Sequence, residues 1–146
     1  MPTKQSLIDA GFKALNVFHR GVLRLSGGRI GRTAFGMPVV ELQSIGRVSG
    51  LVRTTILTTP VIDDHRVVLV ASKGGDDRDP EWYRNIVANP EVELDIAGQR
   101  RKFHARRASK EESDELWPRV VSAYRYYGTY RRRAKRDIPL VICEPR

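Results

Sequence analysis

The stretch VVELQSIGRVSGLVRTTILTTPVIDDHRVVLVAS, residues 39–72, decides the fold. It is rich in β-branched residues and broken by glycine, proline and aspartate, which reads as strands separated by turns. Residues 39–45 form one strand. Residues 53–62 form a second, with Thr55, Leu57, Thr59 and Val61 on one face. Pro60, near its end, marks an edge or a bulge. Residues 66–72 contain Val67-Val68-Leu69-Val70-Ala71, a continuous apolar run suited to a central strand. Asp63-Asp64-His65 supplies the turn before it.

Toward the C-terminus, Asp79-Pro80-Glu81 opens a short helix, with Asp79 as cap and proline at the first helical position. The helix runs to about Asn89-Pro90. In residues 91–96, Val92, Leu94 and Ile96 alternate as in a strand. Ala97-Gly98-Gln99 turns the chain into a hairpin partner at residues 100–107. Ser109-Lys110-Glu111-Glu112 is a capping-box signature. It starts a helix through Leu116, Trp117, Val120, Val121 and Tyr124. Residues 139–144 form a last short strand. Antiparallel strands, few helices and tight turns predict an α+β chain, mainly β, folded as a small barrel with helices packed on it. Too few helices alternate with strands for a doubly wound parallel sheet.

Toward the N-terminus, Leu7, Ile8, Phe12, Leu15, Phe18, Val22 and Leu25 fall on one arc at helical spacing. Lys13, Arg20 and Arg24 fall on the opposite side, and Ser26-Gly27-Gly28 ends the helix. Two readings of this amphipathic helix stand: packing on the core, or lying on an anionic membrane surface. The expected organisation is a helix and connector in residues 1–36 and a barrel domain in residues 37–146.

The 146 residues match one ordinary domain. No apolar stretch approaches the ~20 residues that span a bilayer, and no signal-peptide pattern opens the chain. Cys143 is alone, so no internal disulfide forms. Its apolar surroundings, Leu140-Val141-Ile142, point to a buried structural thiol. A soluble cytoplasmic protein is expected, with peripheral contact at the inner face of the membrane if the N-terminal helix binds there. Lysine and arginine number 26 against 17 acidic residues, net +9. Such a surface attracts nucleic acid, an anionic membrane or a polyanionic cofactor.

His19, His65 and His104 lack metal-ligand spacing, so no metal site is expected. Walker, Gly-x-Gly-x-x-Gly and Gly-x-Ser-x-Gly motifs are absent. Two segments look suited to an anion. In Gly46-Arg47-Val48-Ser49-Gly50-Leu51-Val52-Arg53, glycines allow close backbone approach, arginines fork onto phosphate or carboxylate, and Ser49 donates a hydroxyl. In Ala71-Ser72-Lys73-Gly74-Gly75, a strand end runs into glycines that present backbone N–H groups, with Lys73 adding a charge. An ordinary hairpin loop and a plain glycine turn are the alternatives. Trp82 and Tyr83 either wall a flat ring or fill the core.

Gly46-Arg47-x-Ser49-Gly50-x-x-Arg53-Thr54, Ala71-Ser72-Lys73-Gly74-Gly75, Pro80-x-Trp82-Tyr83-x-Asn85-x-x-Ala88-Asn89-Pro90 and the ending Ile138-Pro139-Leu140-Val141-Ile142-Cys143-Glu144-Pro145 together resemble the deazaflavin (F420)-dependent nitroreductase and F420H2-dependent quinone reductase family. The resemblance covers roughly residues 42–145. It implies a split β-barrel related to FMN-binding proteins and a hydride-transferring oxidoreductase using reduced coenzyme F420. It places Arg47, Val48, Ser49 and Arg53 at the cofactor's phosphate and oligoglutamate tail. Thr54, Thr55, Ile56 and Leu57 run along the ring, Ala71, Ser72 and Lys73 lie beside it, and Trp82, Tyr83 and Asn85 form a second contact segment. Val48 departs from the family, which often carries lysine there.

The resemblance also places Tyr124, Tyr127 and Tyr130 near the substrate, with Tyr127 and Tyr130 as candidate catalytic phenols. Read from the residues alone, they can equally form a loop covering the barrel end. Residues 131–136, a basic run, read as a solvated face. The acceptors implied are small and apolar: a quinone such as menaquinone, an unsaturated lactone such as a coumarin or aflatoxin, or a nitroaromatic. An FMN-binding barrel and, less favoured, a nucleic-acid-binding barrel are the rival readings. No specific nucleic-acid partner is expected, and oligomeric state stays open.

Overall fold

A computed structural model describes residues 33–63 and 65–146. The amphipathic pattern of residues 7–25 lies outside the described residues. The strands are β1 (Thr33–Ala34), β2 (Met37–Ile45), β3 (Val52–Thr58), β4 (Val61–Asp63), β5 (Arg66–Val70), β6 (Glu91–Ile96), β7 (Gln99–Arg107) and β8 (Leu140–Pro145). Three α-helices accompany them among the described residues: α1 (Glu81–Ala88), α2 (Lys110–Ala123) and α3 (Tyr126–Arg133).

The strands hydrogen-bond in the order β2-β6-β7-β8-β5-β4, all antiparallel, with β3 on the other side of β2. Since β3 runs into β4 through Thr59-Pro60, one bent stretch of chain joins both ends of the sheet. Residues 53–62 are not the single strand expected from the sequence; the strand breaks at Pro60, which has no N–H to give a ladder. Thr59 manages the corner. Its N–H donates to Pro38 O at 3.0 Å, and its hydroxyl lies 2.9 Å from Val61 O and 2.7 Å from Val68 O. These contacts draw the two sheet ends together into a split barrel.

The alternation of β5 and β8 separates two cores. Val67, Leu69, Ala71, Val141 and Cys143 face one cluster with Leu42, Leu94, Phe103, Trp82, Tyr83 and Ile86. Val68, Val70, Leu140 and Ile142 face a second with Leu116, Trp117, Val120 and Tyr127. The unbroken apolar run in residues 67–71 is thus explained: both faces of β5 are covered. α1 covers the first core, and α2 and α3 cover the second. Burial pushes the Cys143 thiol up to about 12, as expected of an inert structural cysteine.

α2 starts on a complete capping box. Glu112 N–H donates to the Ser109 hydroxyl, and Ser109 N–H donates to the Glu112 carboxylate. That cap contributes about 1 kcal/mol. Arg106 of β7 forks onto the same carboxylate at 2.7 and 2.9 Å, tying the helix start to the sheet. The expected hairpin at Ala97-Gly98 is present, with φ of 54° and 82° at the two turn residues. The Asp63 carboxylate accepts from the N–H groups of His65 and Arg66, which makes the predicted turn.

Two further expectations are corrected. α1 has Pro80 at its cap position and no side-chain cap; Asp79 instead pairs with Arg136 at 2.9 Å. Residues 126–133, which join the tyrosine segment (a covering loop in one of its two readings) to the start of the basic run, form helix α3, and Tyr127 turns into the second core.

Candidate functional site

The loop between β2 and β3 is a tight six-residue link, residues 46–51. Gly46 N–H donates to Leu51 O, and Gly50 N–H to Gly46 O, both at 2.8 Å. A Cβ at Gly46 would sit 2.6 Å from Ser49 Oγ, so glycine leaves room for this hydroxyl where it stands. Ser49 Oγ accepts from Leu51 N–H at 3.1 Å and from Arg53 Nη2 at 3.2 Å. With both lone pairs engaged, its own proton is left to donate outward, as an anion site needs. Val48, at the tip, is 91% exposed.

Arg47 is fixed from the opposite side. Asn85, buried on α1, accepts at Oδ1 from Arg47 N–H at 3.1 Å and from its Nη1 at 2.9 Å. Glu81, one turn earlier on the same helix, pairs with Nη1 at 2.8 Å. Two segments far apart in sequence therefore form one unit, in which α1 orients the loop guanidinium. Trp82 and Tyr83, on the same helix, are core aromatics in edge contact, with ring centroids 6.3 Å apart. The core-filling alternative describes their side chains.

The second anion-suited segment is a single 3-10 turn, Lys73–Gly75, following buried Ser72. Lys73, Gly74 and Gly75 all have positive φ, at 46°, 64° and 84°. Lys73 Nζ lies 4.0 Å from the buried Asp76 carboxylate. Burial raises the pKa of that carboxyl. Hydrogen bonds from Arg78 and the charges of Arg78 and Lys73 outweigh this and hold it below the usual range.

Helix α3 docks on this turn. A Cβ on Gly75 would approach Tyr130 Cα and O to 3.2 Å, so α3 backbone rests directly on glycine. Arg136 straps the junction, donating to Ala71 O at 3.0 Å and Asp76 O at 3.1 Å while paired with Asp79. The basic run is therefore not simply solvated, because its last arginine is structural. Arg131 lies over the Trp117 ring at 4.5 Å.

The three candidate tyrosines form a row. Tyr124 and Tyr127 meet edge-on at 5.2 Å, and Tyr127 and Tyr130 at 6.1 Å. Burial, then the hydrogen bond to Tyr130, pushes the Tyr124 phenol up to about 12. Burial also raises Tyr127, partly offset by its hydroxyl contact with Thr58 Oγ1 at 3.1 Å. Tyr124 and Tyr127 therefore hold their protons at neutral pH and can donate hydrogen bonds.

β3 links the two ends of this constellation. Arg53 stands at its start, Thr54, Thr55, Ile56 and Leu57 along it, and Thr58 at its end against Tyr127. Five residues at strand rise span about 17 Å. The strand thus carries cations at one end and phenols at the other. Thr58, Asp76 and Arg136 are not among the site residues expected from the sequence; Thr58 and Arg136 act through contacts with residues far away in the chain, and Asp76 through its neighbours Lys73 and Arg78.

The residues suit a long polyanion attached to a flat ring: cations and an outward hydroxyl at one end, a half-open strand between, aromatics at the other. No metal-binding cluster occurs among the described residues. No helix there is long and apolar enough to cross a membrane.

Residues 17–145 match the family model described as F420H(2)-dependent quinone reductase. An F420H(2)-dependent quinone reductase of Mycobacterium tuberculosis is 36% identical over 128 residues, 85% of each chain. A solved F420-H2 dependent reductase is 35% identical with TM-score 0.67, covering 73% of this chain and 94% of its own. Another solved structure, described as a domain-swapped dimer, is 32% identical with TM-score 0.68, covering 86% and 98%.

Proposed function

The chain belongs to the F420H(2)-dependent quinone reductase family, and on that premise we propose that it reduces a small apolar quinone with reduced coenzyme F420. Bound reduced F420 supplies a hydride, and the quinone takes that hydride and one proton to become a quinol. This favours F420 over FMN, and the cation set is large for a single phosphate.

Arg47, Ser49 and Arg53 hold the anionic tail. Arg47 arrives pre-oriented by Asn85, which lowers the ordering cost of binding. The clamp also draws part of the guanidinium's capacity to Glu81, so Arg53 and the Ser49 hydroxyl carry the more flexible contacts. Val48 contributes backbone only, and the family's frequent lysine charge is missing here. Residues 54–57, with Ala71, Ser72 and Lys73, would hold the ring portion of the cofactor. Trp82 and Tyr83 act from beneath as packing that holds α1.

Tyr124 and Tyr127 hold their protons across the physiological range. Tyr127, fixed by Thr58, is the best placed to donate a hydrogen bond to an acceptor carbonyl as negative charge develops on it. Tyr130 is the second candidate, and Tyr124 supplies a stacking edge. Unsaturated lactones and nitroaromatics share the flat, electron-poor character of a quinone and are proposed as further acceptors. Contact with an anionic membrane is proposed for residues 7–25, and liposome flotation of the full chain with and without anionic lipid tests it.

The observation that carries this reading is the junction of Arg47 with Asn85, which unites the two cofactor segments. The test is anaerobic oxidation of F420H2 by menadione, followed through the return of oxidised F420 fluorescence. Turnover that needs both protein and quinone supports the proposal. Absence of turnover with quinones, lactones and nitroaromatics alike rejects it.

A further inference from the structure

The β1–β2 hairpin carries a residue that its turn does not favour. Ala34 pairs with Met37, leaving Phe35 and Gly36 as a two-residue turn with φ of 55° and 77°. Positive φ at both positions is the type I′ geometry, which prefers asparagine or glycine first. A phenylalanine there is strained, and bulky non-glycine residues at such φ warrant a functional question.

Burial does not explain the residue. Phe35 is 61% exposed. Its ring lies 5.5 Å from that of Tyr124, tilted by 35°. The ring of Tyr126, also exposed, stands 5.2 Å from that of Tyr124. The row therefore runs Phe35, Tyr124, Tyr127, Tyr130, with exposed Phe35 at one end and buried Tyr127, held by Thr58, within it. An asparagine at position 35 would relieve the turn and remove exposed apolar surface. The turn thus gives no reason for the ring, whose one aromatic contact in the row is with Tyr124.

Resting on the proposed function above, we infer that Phe35 is an acceptor-specificity residue, whose ring extends the tyrosine row into an aromatic rim for flat, apolar acceptors. The ring adds a stacking face at the mouth of the row. A substrate that lies flat gains contact, whereas a compact non-aromatic one gains little.

The experiment compares Phe35→Asn, Phe35→Leu and Phe35→Trp with the unaltered protein. Asn suits the turn, so its melting temperature is expected to stay level or rise. Its KM for menadione is expected to rise about five-fold, with F420 affinity unchanged. Trp is expected to retain low KM and Leu to behave like Asn, which separates stacking from mere apolar bulk. Unaltered KM in Phe35→Asn, or full recovery by Leu, overturns the inference. If the unaltered protein shows no F420H2-dependent turnover, the proposed function fails instead. The rim is then judged from equilibrium menadione binding, read by quenching of protein fluorescence. Binding weakened in the Asn variant supports the inference, whereas equal or absent binding overturns it.

Discussion

Replacing Gly75 by alanine tests how the tyrosine helix is held. Gly75 has φ of +84°, and an L-residue in that region costs roughly 1–2 kcal/mol. The added Cβ would also lie 3.2 Å from Tyr130 Cα and O and from Arg133 Cδ. The arginine carbon can swing aside, but the helix backbone cannot, so α3 must shift by a few tenths of an ångström. Overpacking of this kind costs about 1–3 kcal/mol. The sum, about 2–5 kcal/mol, lowers the melting temperature by roughly 6–15 °C in a chain this size. Gly98→Ala is the matched control. Its φ is +82°, but nothing lies within 4 Å of the added carbon. It should therefore lose only the strain, about 3–6 °C. Thermal melts followed by circular dichroism give both values, and acceptor KM should rise only for Gly75→Ala as Tyr127 moves from Thr58. Equal melting shifts in the two variants would refute the docking of α3 on the glycine turn.

Other consequences can be checked separately. Asn85→Ala removes the acceptor of both Arg47 hydrogen bonds and should weaken F420 binding about ten-fold in a fluorescence titration; unchanged affinity would show that Arg47 needs no clamp. Tyr127→Phe should lower kcat about 100-fold if the phenol donates its proton, and less than a three-fold loss would exclude it. Because burial raises the Tyr127 pKa, the unaltered enzyme's kcat should show no tyrosine limb below about pH 10. Glu112 titrates at about 2, chiefly through the hydrogen bond from Arg106, against an ordinary 4.5. Its folded pKa is depressed, so its stabilisation is present above 4.5 and is lost as pH falls toward 2. Acid melts of Glu112→Gln should be flatter over that window than those of the unaltered protein.

Local chemistry made much of the fold legible. The capping box at Ser109–Glu112, the Ala97-Gly98 turn and the alternation of Val92, Leu94 and Ile96 each act within a few residues, and each appears as read. The errors share one cause: the deciding partner was distant in sequence. Pro60 marks an edge or a bulge, but its place at a barrel corner depends on Thr59 reaching Pro38 and Val68. Asp79 looked like a cap because nothing nearby reveals Arg136 as its partner. The tyrosine segment lacks strong helix formers and carries a glycine, so propensity disfavours a helix. It becomes one because Tyr127 finds a place in the second core and α3 rests on Gly75. The glycine-arginine-serine and lysine-glycine segments were visible as anion-suited motifs. Their link through Asn85, and the strand that leads from Arg53 to Tyr127, needed three dimensions.

The most direct test of the account is a fluorescence titration of the full chain with oxidised F420, alongside FMN, comparing the unaltered protein with Arg47→Ala and Arg53→Ala. The account predicts saturable binding selective for F420. Each arginine variant should bind roughly ten-fold or more weakly, because each loses a charge-assisted contact to the anionic tail. Equal affinity in all three proteins, or a preference for FMN, would contradict it.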